Sequence, residues 1–118
     1  MASHPSNYDD DDNRVPHRGE VWIAQIDVPR PVIILTRDPM GAHLSALLGV
    51  YATRRVRGLS SEVPVGPKDG INFDSVVNLD NLQLIDQRDL LERVGRARPE
   101  TMDALCQALA FVVDCPVA

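Results

Sequence analysis

Apolar and polar residues alternate with a two-residue period over much of residues 18–85, which is the pattern of half-buried β-strands. The stretch RGEVWIAQID opens this region, and PVIILT after it is a continuous apolar run typical of a central strand. Between them, VPRP predicts a break, because proline lacks the N–H that regular pairing needs. The predicted strands lie within residues 18–27, 31–36, 43–53, 56–66 and 75–85, the third of them bent at Gly49.

The C-terminal third changes to the 3.6-residue period of α-helices. Residues 86–94, DQRDLLERV, predict a short helix with Asp86 as its N-cap and Gly95 after its end. Residues 98–114 predict a longer helix with Pro99 in its first turn and an apolar stripe that packs on the core. Several short strands and a terminal amphipathic helix predict a mainly β fold, a small curved sheet or barrel covered by that helix.

Length and composition indicate one soluble domain of 118 residues, 44% apolar and 25% charged. No apolar run is long enough to span a membrane, and the start of the chain does not have the pattern of a secretory signal. We therefore expect a cytoplasmic protein without a membrane partner. Cys106 and Cys115 point to opposite sides of the predicted helix, which predicts two reduced, buried thiols.

The net charge of −5 is unevenly distributed along the chain. Residues 1–13 contain four aspartates, Asp9–Asp12, and no lysine or arginine, and this composition predicts a disordered acidic tail. Residues 14–118, the predicted domain, carry 12 basic and 13 acidic side chains and are close to neutral. Eleven of the 12 basic residues are arginines, whose planar guanidinium suits phosphate binding, and three of them fall within residues 54–57.

The usual hydrolase and metal-site patterns do not occur in this sequence. His4, His17 and His43 are scattered and the two cysteines have no paired spacing, so no metal site is predicted. There is no glycine-rich phosphate loop and no Gly-x-Ser-x-Gly motif, and we expect no cofactor. The remaining candidates for chemistry are arginine and hydroxyl side chains.

Arg30 and Thr53 are the strongest of these candidates. Arg30 lies between two prolines directly before an apolar strand, and Thr53 ends the strand that precedes the arginine cluster. If the strands at 31–36 and 43–53 pair as a hairpin, the two side chains fall at the same end of the sheet. A guanidinium and a hydroxyl there suit a scissile phosphodiester, and in RNA the ribose 2′-hydroxyl supplies the nucleophile. The alternative is structural: Arg30 is an ion-paired residue at a strand end, and Thr53 is an ordinary strand residue.

Four segments in the same order, RGEVWIAQID, RPVIILTRD, ATRRVRGLSSEV and DSVVNLDNLQLID, resemble the MazF/PemK family of toxin–antitoxin ribonucleases. The resemblance spans residues 17–114 and is closest to the mycobacterial branch with a short first loop. It implies an SH3-like barrel with a C-terminal helix that forms a homodimer. It also implies a growth-inhibiting toxin that cleaves specific sequences in single-stranded messenger or transfer RNA without metal. The products are 2′,3′-cyclic phosphate and 5′-hydroxyl ends, and a MazE-like antitoxin silences the activity.

By this resemblance Arg30 and Thr53 are the catalytic residues. Arg30 transfers protons and stabilises the phosphate, and Thr53 holds the phosphate. Arg18 and Glu20 match the opening motif of the family and brace the site. The predicted RNA-binding residues are Arg54, Arg55, Arg57, Ser60, Ser61, Asn78 and Asp80.

Two features depart from the family pattern. The loop between the first two strands is nearly absent, which leaves base choice and antitoxin contacts open. Asn78 stands where the PemK branch has an arginine, although Asp80 matches its aspartate, so Arg30 carries the larger part of the chemistry. Two alternatives remain: a CcdB-like gyrase poison on the same barrel, and a catalytically silent module that binds RNA or an antitoxin.

Overall fold

Seven antiparallel β-strands and one α-helix form the computed structural model, which describes residues 14–115. The strands are β1 (Glu20–Gln25), β2 (Pro29–Ile34), β3 (Ala46–Thr53), β4 (Glu62–Val65), β5 (Ser75–Asn78), β6 (Gln83–Asp86) and β7 (Leu90–Arg96), and the helix is α1 (Pro99–Val113). This arrangement confirms the predicted mainly β fold with a C-terminal helix. The predicted acidic tail, residues 1–13, lies outside the described residues.

Strand β3 joins the two parts of the sheet, whose order is β4-β5-β3-β2-β1-β7. The first half of β3, up to Gly49, pairs with β6, and its last residues, Ala52 and Thr53, pair with β5. The partner changes just after Gly49, close to the predicted bend. A Cβ at Gly49 would lie 2.8 Å from Cδ1 of Ile85 and 3.1 Å from the carbonyl oxygen of Ile33, so a side chain here would require Ile85 to move and would crowd the Ile33 carbonyl.

The predicted break at VPRP is wrong, because both prolines lie inside β2. Pro29 and Pro31 pair with β1 opposite Gln25 and Ile23, whereas the register with β3 begins only at Val32. Proline is tolerated at the start of a strand and beside an open edge, since its missing N–H is not needed there. The β1–β2 loop is therefore only three residues long, which confirms the predicted short connection.

The predicted helix over residues 86–94 is also wrong. Residues 87–89 form a 3-10 turn, and the chain then continues as β7, which pairs with β1. Asp86 acts as the N-cap of the 3-10 turn instead of a helix. Its carboxylate accepts a hydrogen bond from the backbone N–H of Arg88 at 3.0 Å. The edge of β1 presents unpaired backbone groups, and pairing them outweighs the weak helical preference of this short segment. The second predicted helix is confirmed, with Pro99 in its first turn.

Apolar side chains fill both faces of the central strands. Ile33 and Val50 belong to a cluster between the sheet and α1, whereas Val32 and Ile34 belong to a second cluster on the opposite face with Trp22. Burial on both faces explains why the β2 sequence is a continuous apolar run instead of an alternating one. The packed centre of β2 and β3 therefore supports the residues at the ends of these strands.

The two cysteines are free, but they are exposed instead of buried, which corrects the second part of that prediction. The buried side of α1 consists of Thr101, Leu105 and Ala108, and Cys106 lies beside this stripe. Arg18 Nη2 donates to Sγ of Cys106 at 3.2 Å. Within the part of the chain that the structure describes, no helix has the length and apolar character to cross a membrane.

Asp69 connects the turn before β5 to the start of α1. Its buried carboxylate accepts hydrogen bonds from the backbone N–H of Arg98 at 2.9 Å, from Arg98 Nε at 3.1 Å and from Thr101 Oγ1 at 2.8 Å. Burial alone would raise the pKa of Asp69, but the hydrogen bonds from Arg98 and Thr101 outweigh it and hold the pKa below its ordinary value. The ionised carboxylate therefore fixes the helix against the sheet.

Two glycines allow this turn to approach β7 closely. A Cβ on Gly70 would lie 2.7 Å from Cα of Gly95, and a Cβ on Gly95 would lie equally close to Cα of Gly70. Gly70 also has φ +80°, a left-handed conformation that favours glycine. The contact places Asp69 within reach of the helix.

Replacing Asp69 with alanine is expected to lower the free energy of unfolding by about 3 kcal/mol, because Arg98 and Thr101 lose their buried acceptor. Urea denaturation at pH 7 measures this, with Asp103→Ala, at an exposed position of the same helix, as the control. Since folding lowers the pKa of Asp69, its stabilisation is complete above about pH 4 and is lost as the pH falls further. Equal unfolding midpoints for the two variants would contradict this role.

Candidate functional site

The register between β2 and β3 brings Arg30 and Thr53 to one end of the sheet. Val32 lies opposite Tyr51 and Ile33 opposite Val50, and the same antiparallel register carried two residues further places Arg30 opposite Thr53. Both side chains line one cavity of about 420 Å³. Its lining residues are Arg30, Tyr51, Thr53, Arg55, Arg57, Leu59, Glu62, Asn78, Asp80 and Asn81.

Arg30 is oriented by two neighbours that the sequence analysis did not identify. Its Nε and Nη2 donate to the two carboxylate oxygens of Asp27 at 2.7 and 3.0 Å, and its guanidinium lies 5.1 Å from the centre of the Tyr51 ring. The hydrogen bonds from Arg30 lower the pKa of Asp27 strongly, and those to Asp27 raise the pKa of Arg30. Arg30 is therefore a permanently charged donor with a fixed orientation.

Thr53 ends β3 and begins the turn into the arginine-rich loop. Its Oγ1 accepts a hydrogen bond from the backbone N–H of Arg55 at 3.1 Å. Because a hydroxyl both accepts and donates, this bond leaves the Thr53 proton able to donate to a ligand. The same turn places Arg55 on the cavity wall beside Thr53.

Glu62 shapes the loop that carries Arg57. Its carboxylate accepts hydrogen bonds from three successive backbone N–H groups, those of Arg57 at 3.0 Å, Gly58 at 2.8 Å and Leu59 at 3.1 Å. Its desolvation opposes the charged form, but the three backbone donors outweigh that effect and lower the pKa of Glu62. A single ionised side chain thus holds Arg57 and Leu59 at the cavity wall.

The opposite wall is built from the turn that follows β5. Oδ1 of Asn78 accepts from the backbone N–H of Asp80 at 2.9 Å and so caps the 3-10 turn over residues 79–81. Asn81 Nδ2 donates to the hydroxyl of Tyr51 at 3.3 Å. Asn78 and Asp80 therefore reach the cavity as predicted, and Tyr51 and Asn81 are additional members that no motif indicated.

Three other predicted RNA-binding residues do not line this cavity. Ser61 is buried, and its hydroxyl has no hydrogen-bond partner among residues 14–115, so the prediction that it reads bases is wrong. Ser60 faces a separate groove beside Gln107 and Phe111 of α1, because the chain turns toward the helix at the end of the loop. Arg54 points away from Thr53 and its guanidinium lies over the ring of Phe73.

The prediction that Arg18 and Glu20 brace the site is wrong. Glu20 begins β1, and Arg30 pairs with Ala24, so about 13 Å of strand separates the two ends. The buried Glu20 carboxylate instead accepts from Trp22 Nε1 at 3.1 Å and Arg93 Nη1 at 3.0 Å. Arg18 donates to the carbonyl oxygen of Leu35. Both residues stabilise the opposite end of the sheet.

The cavity combines fixed positive charge with hydroxyl and amide groups. Arg30, Arg55 and Arg57 supply guanidinium groups, and Thr53 supplies a hydroxyl between them along the chain. Among residues 14–115, no three His, Cys, Asp or Glu side chains are grouped so that they could hold a metal ion. The lining is suited to binding an anion such as a phosphate.

The molecule is a small, bent antiparallel β-sheet with a terminal helix and an arginine-lined cavity at a strand end. A family model described as PemK-like, MazF-like toxin of type II toxin-antitoxin system matches residues 17–113. The chain therefore belongs to this toxin family, and the resemblance found in the sequence is confirmed.

Mycobacterial relatives are similar over most of the chain. Endoribonuclease MazF3 of Mycobacterium tuberculosis is 42% identical over 100 residues, which cover 83% of this chain and 97% of the relative. Probable endoribonuclease MazF5 of the same species is 41% identical over 105 residues, 86% of this chain and 95% of the relative. These names favour the ribonuclease prediction over the gyrase-binding alternative.

Solved structures have the same architecture. The Mycobacterium tuberculosis toxin MazF-mt6 superposes with a TM-score of 0.79 at 39% identity, covering 83% of this chain and 99% of that structure. An endoribonuclease from a mycobacterial species, in complex with its cognate antitoxin, gives a TM-score of 0.79 at 26% identity and covers 87% and 99%. The fold is thus that of MazF toxins.

Replacing Glu62 with glutamine is expected to loosen residues 57–59 while the sheet stays folded. The neutral amide is a weaker acceptor than the carboxylate, so hydrogen exchange at the Arg57, Gly58 and Leu59 amides should accelerate roughly tenfold. Glu92→Gln, at an exposed position of β7, is the control. Because the pKa of Glu62 is lowered, the wild-type loop should loosen in the same way only as the pH falls below 4.5. Unchanged exchange in the Glu62 variant would show that the carboxylate does not order the loop.

Proposed function

We propose that this protein is an endoribonuclease toxin that cuts single-stranded RNA in the cavity between Arg30 and Thr53 without a metal ion. The observation that carries the proposal is the placement of these two side chains across the β2–β3 pair, in one cavity that Arg55 and Arg57 also line. The family of the chain and the names of its relatives support the same activity.

The reaction follows from the groups in the cavity. The ribose 2′-hydroxyl attacks the adjacent phosphorus, losing its proton to solvent, and the bond from phosphorus to the 5′-oxygen breaks. The Arg30 guanidinium stabilises the negative charge that develops on phosphorus, and the Thr53 hydroxyl donates to a non-bridging oxygen. The products are a 2′,3′-cyclic phosphate and, after protonation of the leaving oxygen, a 5′-hydroxyl.

Arg30 acts in this scheme as a charged donor and not as a base. The guanidinium keeps its protons at neutral pH, and the hydrogen bonds to Asp27 raise the pKa of Arg30 further. Asp27 accepts from Nε–H and from one N–H of Nη2, which leaves the second N–H of Nη2 and both N–H groups of Nη1 to meet the phosphate. Arg30 can pass a proton to the leaving 5′-oxygen only in concert with uptake of another from water.

The remaining polar residues bind the rest of the RNA. Arg55 and Arg57 lie on the cavity wall and bind phosphates that flank the cut. Asn78 and Asp80 lie on the other wall, where their amide and carboxylate groups meet base edges of an unpaired strand.

The partner that silences the toxin is a MazE-like antitoxin. A related mycobacterial endoribonuclease has been solved in complex with its cognate antitoxin. An acidic and apolar antitoxin segment would neutralise the arginines of the cavity and exclude RNA. We further propose that the toxin is a homodimer and acts in the cytoplasm, where its RNA substrates are.

Purified protein is expected to cut a random-sequence pool of single-stranded RNA in the presence of EDTA, leaving 5′-hydroxyl ends. Arg30→Ala should lower the rate at least about a hundredfold and Thr53→Val by about tenfold or more, because each removes a donor to the transition state. Arg88→Ala, whose side chain is 87% exposed and paired with Asp86, is the control. Light scattering should show an unchanged dimer for every variant. Full activity of the Arg30 variant would disprove the mechanism, and RNA binding without cutting by the wild type would favour the silent module.

Arg57→Ala is expected to weaken binding of single-stranded RNA and to reduce its salt dependence. Loss of one phosphate contact lowers the steepness of the logarithmic plot of affinity against salt by about 0.7. Fluorescence anisotropy at several salt concentrations measures this, with Arg88→Ala as the control. An unchanged slope would mean that Arg57 does not contact a phosphate.

A further inference from the structure

Arg54 and Phe73 form a flat, exposed pair next to the proposed cleavage site. Cζ of Arg54 lies 3.5 Å from the centre of the Phe73 ring, the distance of a stacked contact. Phe73 is 55% exposed, so its ring is accessible from solvent. Arg54 is exposed as well.

The pair lies at the same end of the sheet as the cavity. Arg54 directly follows Thr53, and Thr53 pairs with Val76 of β5, three residues after Phe73. Thr53, the last residue of β3, lines the cavity, whereas Arg54 is not among the lining residues and lies on the Phe73 ring. A nucleotide next to a phosphate held by Thr53 is therefore within reach of Arg54.

Arg54 has a different partner from the arginines that form ion pairs. Arg30, Arg88 and Arg98 each bind an aspartate. Among residues 14–115, the Arg54 side chain lies on an aromatic ring and forms no ion pair with a carboxylate. The side chain is exposed, so the face of the guanidinium that does not contact Phe73 can meet a ligand.

We infer that Arg54 and Phe73 form a base-stacking subsite for a nucleobase of single-stranded RNA adjacent to the cut. The base stacks on the outer face of the guanidinium, and Phe73 supports the inner face. Unpaired bases stack readily on arginine and aromatic planes, and this contact is tolerant of base identity because every base has a flat face. The subsite rests on the proposed function, since it binds the same RNA strand.

Binding of an uncleavable RNA tests this subsite separately from catalysis. The probe is a fluorescein-labelled single-stranded RNA with the sequence that the wild type cuts, carrying a 2′-deoxynucleotide at the cut. If the wild type cuts nothing, the proposed function fails, and the tightest-binding RNA from a random pool replaces this probe. A further series consists of the same RNA with a single base removed, at a different position in each probe.

Arg54→Lys keeps the positive charge but removes the planar guanidinium. Phe73→Leu keeps an apolar side chain but removes the aromatic ring. Each is expected to weaken binding roughly tenfold on the complete probe. On the one probe that lacks the stacked base, both variants should bind as tightly as the wild type does. The salt dependence of RNA binding by Arg54→Lys should match that of the wild type, because the charge is kept. Arg88→Lys is the matched control, and unchanged melting temperatures exclude misfolding.

Two results would overturn the inference. Wild-type affinity in Arg54→Lys would mean that Arg54 acts only as a positive charge. Equal weakening on every probe of the series would mean that the pair stabilises the loop and stacks on no base.

Discussion

The antiparallel pairing of β2 with β3 is the interaction on which the cavity depends. It sets Arg30 opposite Thr53, and it is held by side chains buried on both faces, Ile33 and Val50 on one and Val32 on the other. A slip of one residue would exchange the β2 side chains between the two apolar clusters, and the close packing of each cluster opposes this. The position of the proposed catalytic pair is therefore a consequence of core packing.

Local hydrogen bonds then orient the side chains that the sheet brings to the cavity. Asp27 and Tyr51 fix the guanidinium of Arg30, Glu62 gathers the loop of Arg57, and Asn78 caps the turn on the other wall. The cavity is thus preorganised by acceptors that the protein supplies itself. A site held in this way loses little conformational entropy when an anion enters, which suits stabilisation of a transition state.

The predictions that proved wrong share a cause: the pattern of neighbouring residues competes with contacts between residues far apart in the chain. Residues 86–94 have an apolar spacing compatible with a helix, yet from Leu90 the chain pairs as β7 with the open edge of β1. Arg18 and Glu20 precede the site in the chain, yet lie at the far end of β1. Ser61 stands beside the arginine loop, yet is buried where β4 begins. In each case the deciding contacts are with residues distant in sequence, and for Ser61 they include the backbone N–H of Leu79, which donates to the Ser61 carbonyl oxygen.

The features that depend on residues close together in the chain could be predicted from the sequence. The helix starting at Pro99 and the strand ending at Thr53 follow from the periodicity of apolar residues and the position of proline. The meeting of Arg30 with Thr53 follows from the antiparallel pairing of two strands that are consecutive in the chain. That Asn81 and Glu62 line the cavity, and that Arg54 lies on Phe73 instead, became evident only from the folded structure. The physical reason is that the direction of a loop side chain depends on hydrogen bonds and burial formed after the strands have packed.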